Sequence, residues 1–381
     1  METIPERKSK KKSRKPIYFL FGSILFFCIF IYLMTRPSIE NLALNDLKKV
    51  ETLTEIKTVW ERYPELMENK NFLNKVREKL TALNLKVEDA NWFPKAPESI
   101  NLIVIPDLSR RIIDSVNNPN QISNDKIILE TIWNSFKEFS KFKMNTKDEL
   151  TIDVTDIDQA KGQFGEVASK LHFDLSKHKK DNSNRLYFTD SKTNQFISNI
   201  DKMYRLAEQK PLGADYRFYL RRYLKEHLKK SDFYHTYLNK VIIITDGYLE
   251  SENKPADTKI YGYGNEKNDL RSVLYPAVER NDLENVIAQL NLTIPAVDID
   301  LSNVEFLICE VNERKIIEGD TKKHIYIEGG KGKDFDILKA YWIPWLKSMN
   351  AKIEEEYFIE RQQNIQKITE KIENFINPRK K

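Results

Sequence analysis

Two strand-like apolar runs each end on an aspartate at a turn: Asn101 to Asp107 (NLIVIPD) and Val241 to Asp246 (VIIITD, then Gly247). Loops leaving the carboxyl ends of neighbouring parallel strands converge on one crevice, so two strand-end carboxylates can share a metal or a substrate there. Ser109 and Arg111 follow Asp107 within LSRR, and Asp215 closes the stretch PLGAD ahead of a helical pattern. These five residues, Asp107, Ser109, Arg111, Asp215 and Asp246, are the candidate ligand-binding set, with Asp107, Ser109 and Asp246 as the candidate metal ligands.

Positioning them requires a sheet with helical cover. The pattern predicts strands over 101–106, 149–155, 185–189, 240–245 and 303–311, and helices over 124–142, 193–209, 215–229 and 282–290. Such alternation is that of an α/β fold, a Rossmann-like, doubly wound, mostly parallel sheet with helices on both faces. The first helix carries Ile127, Ile128, Thr131, Ile132, Ser135, Phe136 and Phe139 on one face, as a helix covering a sheet should. A further short strand is expected from Ile325 into a glycine-rich end (IYIEGGKG), which lacks the spacing of a phosphate loop and reads as a turn. An amphipathic helix over 334–349 has Pro344 as its kink and Trp342, Trp345 and Leu346 as core.

The order of elements and the two Asp-ended strands resemble a von Willebrand factor A (vWA) domain, a Rossmann-like module of integrins and many bacterial binding proteins. The resemblance covers roughly 100–349. It implies a metal-ion-dependent adhesion site drawn from a DxSxS motif after the first strand, a threonine before a later helix and an aspartate after the fourth strand. Asp107, Ser109 and Asp246 match by position; Arg111 replaces the final serine, and Asp215 lies where the family usually has Gly-Thr nearby. Mg²⁺ or Mn²⁺, the implied cofactor, favours six oxygen ligands, and here two hydroxyl ligands are missing. Three readings stay open: Asp215 supplies an oxygen in place of threonine; Arg111 replaces the cation between Asp107 and Asp246, matching carboxylate geometry; or Arg111 points to solvent from the start of a helix. The degenerate, metal-free site is the reading preferred. Individually, Ser109 and Asp246 could serve only as caps of a helix and a turn.

The N-terminus sets the expected location. Residues 1–16 hold seven Lys/Arg against two Glu, which accounts for the whole net charge of +5 in the 381-residue chain. Ile17 to Met34 is uncharged and close to the ~20 residues that span a hydrocarbon core. The basic cluster before it keeps the N-terminus cytoplasmic, and no small-x-small cleavage site follows. The expectation is a single-pass membrane protein with its main domain periplasmic or extracellular. The expected segments are a basic tail (1–16), a transmembrane helix (17–34), a helical stalk (38–99), the vWA-like domain (100–349) and an amphipathic C-terminal helix (350–381) that docks on the stalk or on another chain. Having only Cys28 and Cys309 suits a bacterial periplasmic domain better than a disulfide-stapled secreted one.

Other classes fare worse. Beyond residue 16 the charges balance at zero, which removes the electrostatic case for a nucleic-acid partner. His172, His178, His227, His235 and His324 show no paired ligand spacing, and no Gly-x-Ser-x-Gly elbow surrounds Ser109. The run YRFYLRRYLKEHLKK over 216–230 reads as a helix with aromatic residues inward and charges solvated, rather than as an anion site. The favoured function is a noncatalytic module that binds a protein partner at the Asp107/Ser109/Asp246 crevice. The alternative is a metal-dependent phosphoester hydrolase using Asp107 and Asp246. The polar stretch 159–183 is a candidate specificity insert.

Overall fold

The computed structural model describes residues 26–27, 37–115, 117–144, 146–155, 162, 164–178, 183–211, 215–249, 271–313, 316–318, 323–325, 332–361 and 364–378. The expected basic tail and, apart from Phe26 and Phe27, the apolar run Ile17 to Met34 lie outside these. So do most of the EGGKG turn, the connection 254–268 and residues 212–214 of the PLGAD stretch. Among the described residues no helix is long and apolar enough to cross a membrane. The chain divides into two compact units, Met1–Lys95 and Ala96–Lys381.

In the first unit the expected stalk is a folded three-helix cluster: α1 (Ile39–Lys49), α2 (Leu53–Arg62) and α3 (Lys70–Ala82). A capping box, Thr52 with Glu55, starts α2, and Asn69 caps α3. The apolar stripes close on Ala43, Leu47, Ile56, Val59, Phe72, Val76 and Leu80, with Trp60 stacked on Phe72 at 5.9 Å and edge-on to Phe93 at 5.2 Å. On α1 the buried stripe runs through Ala43 and Leu47, while Leu42 is exposed.

The second unit is an α/β domain built on a six-stranded sheet: β1 (Glu98–Pro106), β2 (Glu149–Ile152), β3 (His172–Asp174), β4 (Thr236–Ile244), β5 (Val304–Val311) and, after the separate hairpin β6 (Ile316–Glu318) and β7 (Lys323–Ile325), β8 (Phe358–Glu360). The spatial order is β3-β2-β1-β4-β5-β8, all parallel except the β2–β3 pair. From β1 the chain builds outward through β2 and β3, then returns to place β4 on the other side of β1. Strand order thus reverses between β1 and β4, and the crevice of a doubly wound sheet opens at that reversal.

Two apolar cores follow from side-chain alternation. On one face Ile103, Ile105, Val241, Ile243, Phe306 and Ile308 pack under α6 (Tyr216–Tyr219, continuing through a π-helical turn Leu220–Leu224 to Lys225–His227), α7 (Arg271–Glu279), α8 (Leu283–Gln289) and α9 (Lys333–Ser348). On the other, Ile100, Leu102, Val104, Leu150, Ile152, Ile242, Ile244 and Leu307 pack under α4 (Gln121–Ser140), α5 (Asp190–Gln209) and α10 (Ile365–Ile376). Burial on both faces is why β1 and β4 read as continuous apolar runs.

Three expectations change. The strand expected at 185–189 is a turn and helix start: Ser183 caps the turn Asn184–Leu186, and Thr189 caps α5 through the Lys192 amide. The sheet instead takes its edge strand β3 from within the 159–183 stretch, so that part of the supposed insert is structural. The segment beyond 349 belongs to the main domain, supplying β8 and α10. Ile368, Ile372, Phe375 and Ile376 close the second core, and buried Lys240 of β4 donates to the Phe375 carbonyl at 2.8 Å. A cation facing a helix C-terminus meets its unpaired carbonyls and the negative end of its dipole. If α10 is core, Ile372→Ala costs about 2–5 kcal/mol of domain stability in urea denaturation; a cost under about 0.5 kcal/mol, as for a surface position, would instead mean that α10 sits loosely.

Candidate functional site

Backbone geometry at the carboxyl ends of β1 and β4 brings Asp107, Ser109, Arg111 and Asp246 together. The Asp107 amide donates to the Ile244 carbonyl at 2.9 Å, extending the β1–β4 ladder by one rung. Asp107 Oδ1 accepts the Ser109 amide at 2.9 Å, and Oδ2 accepts the Thr245 hydroxyl at 2.8 Å, so one carboxylate ties the two strand ends together. Ser109 is the N-cap of the short 3₁₀ turn Arg110–Ile112 and accepts the Arg111 amide. That turn folds the Arg111 side chain back over the strand ends.

Asp246 is fully buried; its Oδ1 accepts the Tyr248 amide at 3.4 Å and its carbonyl accepts the Asn312 amide at 3.1 Å. Gly247 follows at φ +93°, where a Cβ would stand 3.0 Å from Val311 Cγ1. Left-handed backbone and close approach both demand glycine there. The Gly247 carbonyl accepts Trp342 Nε1 at 2.7 Å, which locks α9 to the turn.

The solvent-facing reading of Arg111 fails: its side chain is fully buried. Nε donates to the Asp107 carbonyl at 2.9 Å and lies 3.5 Å from Asp107 Oδ2. Nη2 donates to the Ile244 carbonyl at 3.0 Å and to Asp125 Oδ2 at 2.7 Å. Burial opposes the guanidinium charge, but Asp125 and then Asp107 raise its pKa above the ordinary value. Arg111 is therefore a fixed cation between the β1 and β4 ends.

Asp125, from the first turns of α4, is the main partner that sequence reasoning missed. It also accepts the Tyr204 hydroxyl at 2.9 Å and Gln121 Nε2 at 2.7 Å. Burial pushes its carboxyl up, against the lowering by Arg111 and these two donors. Helical spacing places Asp125, three, four and seven residues before Ile128, Leu129 and Ile132, on the buried stripe of α4, though it does not name Arg111 as the partner.

The network continues through Gln121 Nε2 to Glu310 Oε2 at 3.1 Å. Glu310 is fully buried with φ +68°, in the β5–β8 pairing irregularity between Ile308 and Val311. Burial and then Asp125 raise its pKa. Arg361 lies 3.6 Å from Glu310 Oε2 and donates to Gln121 Oε1 at 3.0 Å and to the Pro119 carbonyl.

Asp215, the candidate oxygen donor in place of the family threonine, lies at the start of α6. It caps α6, its Oδ1 accepting the Phe218 amide at 2.9 Å. The hydroxyl that reaches Asp107 comes instead from Thr245, one residue before Asp246.

Fold and site together define an α/β domain whose strand-reversal crevice is filled by a buried carboxylate–guanidinium cluster. No protein-family model, no curated protein and no solved structure matches the chain.

If Arg111 is the charge that holds the cluster, Arg111→Met leaves Asp107 and Asp125 buried without their cation and costs about 3–5 kcal/mol in chemical denaturation. Adding Asp125→Asn to that variant recovers part of the loss, because the two positions share one charge pair. A single variant as stable as the parent would show the cluster to be energetically idle.

Proposed function

We propose that this chain is a noncatalytic, vWA-like module that binds a protein partner through the loops at the carboxyl ends of β1 and β4, with Arg111 in the role a divalent cation has in the family. The observation carrying this reading is the Arg111 guanidinium set against Asp107 and Asp125 at the point where strand order reverses. Mg²⁺ demands near-octahedral oxygen ligation and keeps several waters. Asp107 instead spends its oxygens on the Ser109 amide, the Thr245 hydroxyl and Arg111, in a site closed to solvent. The hydrolase alternative needs both strand-end carboxylates turned toward a shared ion and a water, and the fixed guanidinium charge opposes that arrangement.

Titration calorimetry of the detergent-solubilised full chain with Mg²⁺ and Mn²⁺ tests this. The expected result is no saturable binding that depends on Asp107 or Asp246. Saturable binding abolished by both Asp107→Asn and Asp246→Asn, in variants that remain folded, would overturn the arginine reading and restore the metal-dependent one.

The proposal places the module outside the cytoplasm, anchored by Ile17 to Met34 with the basic tail inside. Carbonate extraction of membranes should leave the full chain in the pellet and release a chain lacking 17–34. Release of both would remove the anchor.

A further inference from the structure

Away from the Arg111 cluster, the sheet carries a second concentration of ligand-type side chains. The carboxyl halves of β1 and β4, from Leu102 and from Val241, are apolar on both faces, but β2 and its continuation read Glu149, Leu150, Thr151, Ile152, Asp153, Val154. Leu150, Ile152 and Val154 enter the core under α4 and α5. Glu149, Thr151 and Asp153 alternate onto the opposite face, where the apolar core built on β1, β4 and β5 does not include them. β3 repeats the pattern with His172 and Asp174 on either side of buried Phe173.

Strand pairing brings these side chains together. Glu149 stands directly across from Asp174, and His172 pairs with Thr151, one pleat further along the same face. Like charges directly opposed across antiparallel strands are destabilising, so this pair calls for a cation. One ligand atom from each of Glu149, His172 and Asp174 lies within 4.8 Å of the other two. Glu149 Oε1 and His172 Nε2 are already 3.3 Å apart. That is about the spacing of two ligands each ~2.0–2.2 Å from one zinc ion.

The positive charge now facing the pair is protein-borne and loosely held. Lys229 Nζ lies 2.9 Å from Glu149 Oε2, and Lys177 Nζ lies 3.4 Å from Asp174 Oδ2, with Lys177 80% and Lys229 37% exposed. Asp153 continues the strip and is taken by His227 Nε2 at 3.1 Å and the Tyr219 hydroxyl at 2.7 Å, so it is a neighbour of the triad rather than a fourth ligand.

We infer that Glu149, His172 and Asp174 form a binding site for a divalent transition-metal ion of the zinc type, with Lys229 as the group the ion displaces. One imidazole with two carboxylates favours Zn²⁺ and its neighbours over Mg²⁺ or Ca²⁺, which prefer all-oxygen sets. The half-exposed His172 leaves the site open to solvent, so exchange with free ion requires no opening of the fold. Binding here would staple the three-residue edge strand β3 to β2, and ligation of the folded state alone raises stability by mass action.

Competition of the full chain against a fluorescent zinc chelator tests the assignment. One Zn²⁺ per chain is expected, weakened about tenfold or more by His172→Ala and by Glu149→Gln, and tightened several-fold by Lys229→Met, which removes the competing charge. His172 is on the surface, so its variant is expected to fold, and circular dichroism checks each protein. Equal affinity in parent and all three variants would mean adventitious binding and overturn the site, as would no binding by the folded parent. These variants leave Asp107 and Asp246 untouched, so failure here is distinguishable from failure of the Mg²⁺ titration.

Discussion

A guanidinium buried where parallel strands end has to satisfy two demands at once, and the domain is arranged around that requirement. At the reversal between β1 and β4, strand-end carbonyls border the crevice, and that of Ile244 already accepts the Asp107 amide. The Arg111 group meets two of these, from Asp107 and Ile244, and two carboxylates, from Asp107 and Asp125. A hard metal ion could also take carboxylate and carbonyl oxygens, but only in a near-octahedral shell completed by waters. Planar, fork-shaped donors in fixed directions do both. Charge in this position is tolerable because hydrogen bonds to Asp125 and to two carbonyls offset its burial; desolvation of an ion costs several kcal/mol, of the order of what one unmatched partner would forfeit.

The cluster also reaches distant sequence. Asp125 brings in Tyr204 of α5 and Gln121 of α4, and Gln121 passes the connection to Glu310 at the β5 irregularity and to Arg361 just after β8. One polar chain therefore runs from the end of β1 across the carboxyl edge to the last strand. Arg111 Nη1, Asn118 Nδ2 and Glu310 Oε1 are buried along it without a hydrogen-bond partner among the described residues. Polar atoms of that kind are the usual hosts of ordered internal water. The left-handed backbone at Glu310, a conformation unfavourable for a residue with a Cβ, is held by these contacts.

How far this could be read from sequence depended on length and periodicity. Strands β1 and β4 and helix α4 announce themselves because burial on both faces, or on one long stripe, repeats over many residues. Strand β3 does not: three residues, His172 to Asp174, offer no measurable period, while Arg185 to Thr189 has the aromatic content of a strand but carries caps that start a helix. The strand-end residues Asp107, Ser109, Arg111 and Asp246 were identifiable because a turn follows a buried run. Asp125 and Glu310 were hidden for the opposite reason, each lying inside an apolar pattern where a lone carboxylate reads as an interruption. Their partners are 14 and 189 residues away, for Arg111 with Asp125 and Gln121 with Glu310, and no local spacing encodes such pairs.

The same sheet handles excess carboxylate in two different ways, and helical cover decides which. At the centre α4 and α6 exclude water, so counter-charge must be covalently part of the fold; a diffusible ion would pay its full dehydration with too few oxygens to replace its waters. At the β2–β3 edge the apolar cover ends, Glu149 and Asp174 face each other across the strands, and the balancing groups are the long, partly solvated side chains of Lys229 and Lys177. A fully buried guanidinium at the reversal point and partly solvated lysines at the edge are thus consequences of a single variable, the extent to which each pair of strands is covered on its second face.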